Sequence, residues 1–179
     1  MKQIFLTITI VLSAITMQAQ TTPFQVQNDP KEAGEKMLVG SLTKQDIINS
    51  GVCAWYGKGI DNYVPDSNRI KSLMRVLPRY HFVVFAGTWC EDTQYLLPKF
   101  TKVMDACKVP NTAIEIYGVD RSKQALNVES QLYKIVRVPT IIIIEGPREV
   151  GRVVESLTQS NIETEILYLI EKDLEEQSN

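Results

Sequence analysis

Residues 141–144 of this chain are four consecutive isoleucines. β-Branched side chains are stiff at χ1 and pack better on a pleated strand than in a helix. With no polar residue in the run, neither face of that strand can meet water. The run therefore specifies a strand buried on both faces, inside a sheet that is itself covered on both sides. Residues 82–86, Phe-Val-Val-Phe-Ala, form a second run of this kind. A chain of 179 residues has about the length of one domain and can bury such a sheet.

The segments around these runs alternate in period. Gly87, Thr88, Trp89 and Cys90 turn out of the first run, and Glu91 and Asp92 suit the positive end of a helix. That helix carries Leu96, Phe100, Val103, Met104 and Cys107 at spacings of three and four, and Pro98 inside it is expected to kink it. Residues 113–119 read as the next strand, and Val128, Leu132 and Ile135 mark a following helix. After the isoleucines, Gly146 and Pro147 turn the chain into a hairpin partner at residues 150–155. Ser160 with Glu163 reads as a capping box for a last helix, whose apolar face is Ile162, Ile166, Leu169, Ile170 and Leu174. The fold class is α/β: a strand–helix–strand crossover gives a parallel pair, the hairpin adds antiparallel strands, and helices cover both faces of a mixed sheet.

Residues 1–19 read as a signal peptide. Lys2 precedes an uncharged apolar run over residues 4–17, too short to cross a bilayer, and Ala19 offers a small exit residue. The expected location is therefore exported, periplasmic or secreted, with no stable membrane insertion after cleavage. Residues 20–79 read as an N-terminal extension packed on the core, and residues 80–179 as the main domain. In the extension, residues 20–34 look like a flexible lead-in. Thr43 and Asp46 resemble a capping box for a short helix that Gly51 closes. Trp55, Tyr56 and Tyr63 suggest an irregular segment pinned by aromatic packing, and Asp66 or Ser67 caps a helix running to Leu77.

The chemistry turns on three cysteines and one histidine. A net charge of −2 gives no basic field, so nucleic acid is not an expected partner. One His cannot build a His-based zinc cluster, and the residues call for no metal or cofactor. His81 begins the first strand and Cys90 follows its far end, roughly 15–20 Å away at strand rise, which argues against a Cys–His dyad. Cys90 stands where a strand hands over to a helix, and the positive end of the helix dipole favours thiolate there, opposed by Glu91 and Asp92. The hydroxyl of Thr93, one turn on, is expected to turn back and donate to the sulfur. Cys107 lies 17 residues along the same helix, roughly 25 Å away, and reads as core. Cys53 is either inert or folded over Cys90 as its resolving partner.

Residues 82–93 resemble the strand and active-site turn of the thioredoxin family, in which a Trp precedes the first Cys of a Cys-x-x-Cys pair. Pro98 matches the proline of that family's active-site helix. Val138, Pro139 and Thr140 match the segment that holds its cis-proline, and Gly146 matches the glycine of its terminal hairpin. The resemblance covers roughly residues 80 to 175. It implies a thioredoxin-like fold, Cys90 as the attacking thiol, a cis Pro139, and substrate contacts from Trp89, Val138 and Pro139. The family's second Cys is Thr93 here, its Gly-Pro is Glu91-Asp92, and its buried Asp is Val84. A dithiol cycle between positions 90 and 93 is thereby impossible. Mixed-disulfide chemistry through Cys90 remains, with protein or small-molecule thiols and disulfides as partners. The alternative is a redox-inert binding or scaffold protein that keeps the groove beside Pro139. A peroxide-reducing thiol ranks last, because Val83 and Gly87 stand where that chemistry keeps Pro and Thr.

Overall fold

The two apolar runs become neighbouring central strands. In the computed structural model, which describes residues 23–178, β3 (His81–Ala86) pairs antiparallel with β5 (Thr140–Glu145), placing Val84 opposite Ile141. On its other edge β3 runs parallel to β4 (Ile114–Gly118). Their crossover is α4 (Glu91–Ala106), with Pro98 in its interior. β6 (Arg148–Val154) closes the hairpin, and its register shifts between Ile143 and Ile144. The signal-peptide reading at residues 1–19 lies outside the described residues.

The extension contributes more than packing. β1 (Phe24–Asn28) and β2 (Lys36–Leu42) form an antiparallel pair, and β2 pairs antiparallel with β4. The sheet therefore has six strands in the order β1-β2-β4-β3-β5-β6. The flexible lead-in expected at residues 20–34 is corrected over its described part: residues 24–28 are a strand. Its sequence, Phe-Gln-Val-Gln-Asn, alternates apolar and polar residues, but only Phe24 and Gln27 are half-buried and Val26 is exposed, as fits a strand at the sheet edge.

Helices α1 (Lys44–Asn49), α2 (Ala54–Asp61) and α3 (Ser67–Val76) follow. The Thr43–Asp46 capping box forms as its spacing predicts, and the Asp66 carboxylate caps α3 by accepting from the Asn68 and Arg69 amides. The aromatic segment is irregular only in its second part, around Tyr63; Trp55 and Tyr56 lie in α2, where Tyr56 faces inward and donates to Thr101 Oγ1 at 2.8 Å. The two glycines of α2 disguised it. Gly59 is what lets α2 lie against α4, because a Cβ there would come within 2.8 Å of the Pro98 ring.

Alternation along the central strands divides the core. Phe82, Val84, Ala86, Ile141 and Ile143 face a large cluster built with residues of α1 to α4 and of α6 (Ile162–Ser178). Val83, Phe85, Ile142 and Ile144 face a smaller one, completed by Val119, Ala125, Ile135 and Val138. The helix expected from Val128 to Ile135 shrinks to one turn, α5 (Glu129–Leu132), with Val128 and Leu132 in solvent. Lys134 turns left-handed (φ 53°) and the Ile135 amide donates back to the Ser130 carbonyl, which ends the helix after one turn. The capping box expected at Ser160 and Glu163 is also corrected. Asn161 Oδ1 accepts from the Thr164 amide, while the buried Glu163 accepts from Tyr63 Oη at 2.5 Å and from the Asp66 amide at 2.7 Å.

Candidate active site at the start of α4

Cys90 is the residue before the first turn of α4, in extended conformation, and its carbonyl accepts from the Gln94 amide at 3.0 Å. The free amides of the first helical turn and the positive end of the dipole therefore lie next to it in the chain, although its side chain makes no capping hydrogen bond. Across from it, the Val138-Pro139 peptide bond is cis, as the resemblance implied. Cys90 Sγ donates to the Val138 carbonyl at 3.4 Å. Val138 and Pro139 are buried and Cys90 is half-buried, so the sulfur sits at the end of the sheet with one side open.

Thr93 lies one turn on and is fully buried. The expected bond to the sulfur is not made: Thr93 Oγ1 has no hydrogen-bond partner. Its side chain follows the apolar face of α4, into the core. Val84, at the position of the family's buried Asp, is also fully buried.

Trp89 lies beside Cys90, and its indole Nε1 donates to the Val119 carbonyl at 3.0 Å. Gly87 makes room for it, because a Cβ there would come within 2.9 Å of both the Trp89 ring and Val138 Cγ2. Thr88, between them, accepts from the Leu38 amide of β2 at 3.1 Å. The turn that carries Cys90 is thus tied directly to the extension.

The other thiols are remote from this chemistry. All three cysteines are free. Cys53 is buried in the cluster on the Val84 face, whereas Cys90 packs against the cluster on the Val83 face. Cys107 caps the far end of α4. Burial pushes both the Cys53 and the Cys107 thiol up to about 11. His81 opens β3, away from Cys90, as its position in the sequence implied.

Glu32 and Arg121, which nothing in the sequence marked, form one wall of the site. Glu32, Trp89, Cys90, Glu91, Gln94 and Arg121 line an open depression of 540 Å³. The Arg121 guanidinium lies 4.4 Å from the Trp89 ring centroid and donates to both carboxylate oxygens of the buried Asp29. Those bonds hold the Asp29 carboxyl below the usual range, against the opposing effect of burial. Polar residues near a chain start look like linker, and nothing in the local sequence pairs Asp29 with a residue 92 positions away. Among the described residues no group of three His, Cys, Asp or Glu could hold a metal ion.

Against known proteins, the thioredoxin family model matches residues 71–167. No curated protein matches the chain. Among solved structures it is similar to the Pseudomonas aeruginosa protein PA1234, described as of unknown function, at 18% identity over 75% of this chain and 78% of that one, TM-score 0.42. It is also similar to an HIV 4E10 epitope scaffold, at 19% identity over 75% and 83% of the two chains, TM-score 0.41. Chloroplastic thioredoxin z matches at 15% identity over 62% of this chain and 92% of its own, TM-score 0.36.

Proposed function

The chain belongs to the thioredoxin family, and from that premise we propose that it is an exported thiol–disulfide exchange protein working through one thiol, Cys90. One observation carries the reading. Cys90 is the half-buried thiol at a helix N-terminus, 3.4 Å from the carbonyl of the cis Val138-Pro139 segment, while Cys53 and Cys107 are buried with raised pKa values. Export rests on Lys2, the apolar run and Ala19.

The Cys90 thiolate attacks one sulfur of a partner disulfide. A Cys90–partner disulfide forms, the partner's S–S bond breaks, and its second sulfur leaves as a thiolate that takes a proton from solvent. An external thiolate then attacks the partner sulfur of the mixed disulfide, and Cys90 leaves as thiolate. Thr93 offers no second sulfur, so release comes from outside the 90–93 pair. Trp89, Val138 and Pro139 flank the partner.

Thr93 and Val84 also favour a second reading, a redox-inert scaffold that keeps the groove beside Pro139. One comparison separates the two. Reduced protein is mixed with a disulfide-containing peptide, acid-quenched and run without reductant. Exchange chemistry predicts a covalent adduct in wild type, none in Cys90→Ser, and release of the peptide by glutathione. Unchanged peptide binding in Cys90→Ser, with no adduct in wild type, would support the scaffold.

A further inference from the structure

The turn between β1 and β2, residues 29–35, is polar and exposed in composition, yet it is clamped to the site. Arg121 Nε donates to Asp29 Oδ1 and Oδ2 at 3.0 Å each, and Nη2 donates to Asp29 Oδ2 at 2.6 Å. The same Nη2 donates to Glu32 Oε1 at 2.8 Å. One guanidinium, stacked on Trp89, therefore fixes this strap as a wall of the Cys90 depression.

The wall has a charge balance. The Asp29 side chain is 1% exposed and offsets Arg121 from behind. That leaves Glu32, whose side chain is 60% exposed, on one rim and exposed Glu91 on the other. Among the described residues two free cations are close, Lys123 with Nζ 6.0 Å from the Trp89 centroid and exposed Lys31 on the strap beside Glu32, and neither lines the depression. Asp92, also exposed, lines a separate recess with Tyr95 and Glu155, and Glu155 is paired with Arg137.

We propose that the strap makes the Cys90 site selective for disulfides flanked by cationic groups, as in a polypeptide whose cysteine neighbours lysine or arginine. The inference rests on the reading of Cys90 as an exchange thiol. Glu32 and Glu91 meet the partner's cations while Cys90 Sγ attacks the adjacent sulfur, and Arg121 is the positioning residue that holds Glu32 there. Partly exposed charges at this range are worth about threefold in rate each.

Three disulfides of similar size test it on the full folded chain: cystamine, bis(2-hydroxyethyl) disulfide and dithiodiglycolate, which are cationic, neutral and anionic. Adduct formation at Cys90 is followed by acid quench and mass mapping. The expected order is cationic, neutral, anionic. The cystamine-to-dithiodiglycolate ratio falls about threefold in Glu32→Gln, and again in the Glu32→Gln/Glu91→Gln pair. It shrinks in 1 M salt, where the Debye length is about 3 Å. Glu35→Gln, on the same strap but outside the depression, removes equal charge and leaves the ratio in place. A ratio equal in wild type and both variants overturns the charge inference, and if the neutral probe still adds to Cys90 the exchange reading stands. No adduct at Cys90 with any probe overturns both.

Discussion

Cys90 differs from Cys53 and Cys107 in access and in what surrounds the sulfur, and both differences are measurable. At pH 8 a thiol raised to about 11 is thiolate in roughly one molecule per thousand. Iodoacetamide is therefore expected to label Cys90 in the folded protein and to reach Cys53 and Cys107 only after denaturation. Equal labelling of all three would contradict the placement. Thr93 gives a second residue-scale prediction. Its buried hydroxyl lacks a partner, so an isosteric change removes a desolvated polar group at no cost in shape. Thr93→Val is expected to raise stability by about 1 kcal/mol in urea denaturation. A loss of that size would mean that the hydroxyl is hydrogen-bonded after all. The place of Cys90 at the start of α4 was legible because strand–turn–helix chemistry is local, whereas the cis Pro139 followed from the family resemblance alone. The course of the Thr93 hydroxyl was not legible, since it depends on how α4 rolls against the sheet.

At the scale of elements, the strap between β1 and β2 and the linker between α2 and α3 are each held by a carboxylate. Asp29 has a depressed pKa in the folded chain. Its contribution is therefore present above the unfolded value of about 3.9 and is lost as pH falls through the lower folded value. Asp29→Asn is expected to lower the melting temperature near neutral pH and to flatten its fall below about pH 4. A parallel curve for variant and wild type would remove Asp29 from the account. Tyr63 and the Asp66 amide both donate to buried Glu163, which docks the α2–α3 linker on α6. Tyr63→Phe is expected to cost about 1–2 kcal/mol in chemical denaturation, because the carboxylate loses a donor it cannot replace with water. The capping boxes show why part of this was unreadable. Thr43 with Asp46 has no competitor for its bonds, whereas Glu163 has the same spacing from Ser160 but is claimed by two groups about a hundred residues away.

For the whole molecule, the central sheet and its crossover followed from apolar runs and helical spacing between residues 82 and 170. The outer pair β1 and β2 did not, because β1 is mostly in solvent, Val26 included, and the buried apolar run of β2 is only Met37, Leu38 and Val39 before Gly40 breaks it. That pair is not a detachable addition. Leu38, Leu42, Ile47, Tyr56 and Leu73 share one cluster with Val84 and Phe100. A chain starting at residue 71, where the family match begins, is expected to bind a hydrophobic dye and lose near-ultraviolet ellipticity. Among the described residues no helix is long and apolar enough to cross a membrane. In the proposed function, this architecture makes one working thiol. The most direct measurement is the rate of mixed-disulfide formation with bis(2-hydroxyethyl) disulfide, mapped cysteine by cysteine after acid quench and compared with free cysteine at the same pH. Adduct is expected at Cys90 alone, formed faster than on free cysteine and released by added thiol. Adduct no faster than on free cysteine, or shared with Cys53 or Cys107, would contradict it.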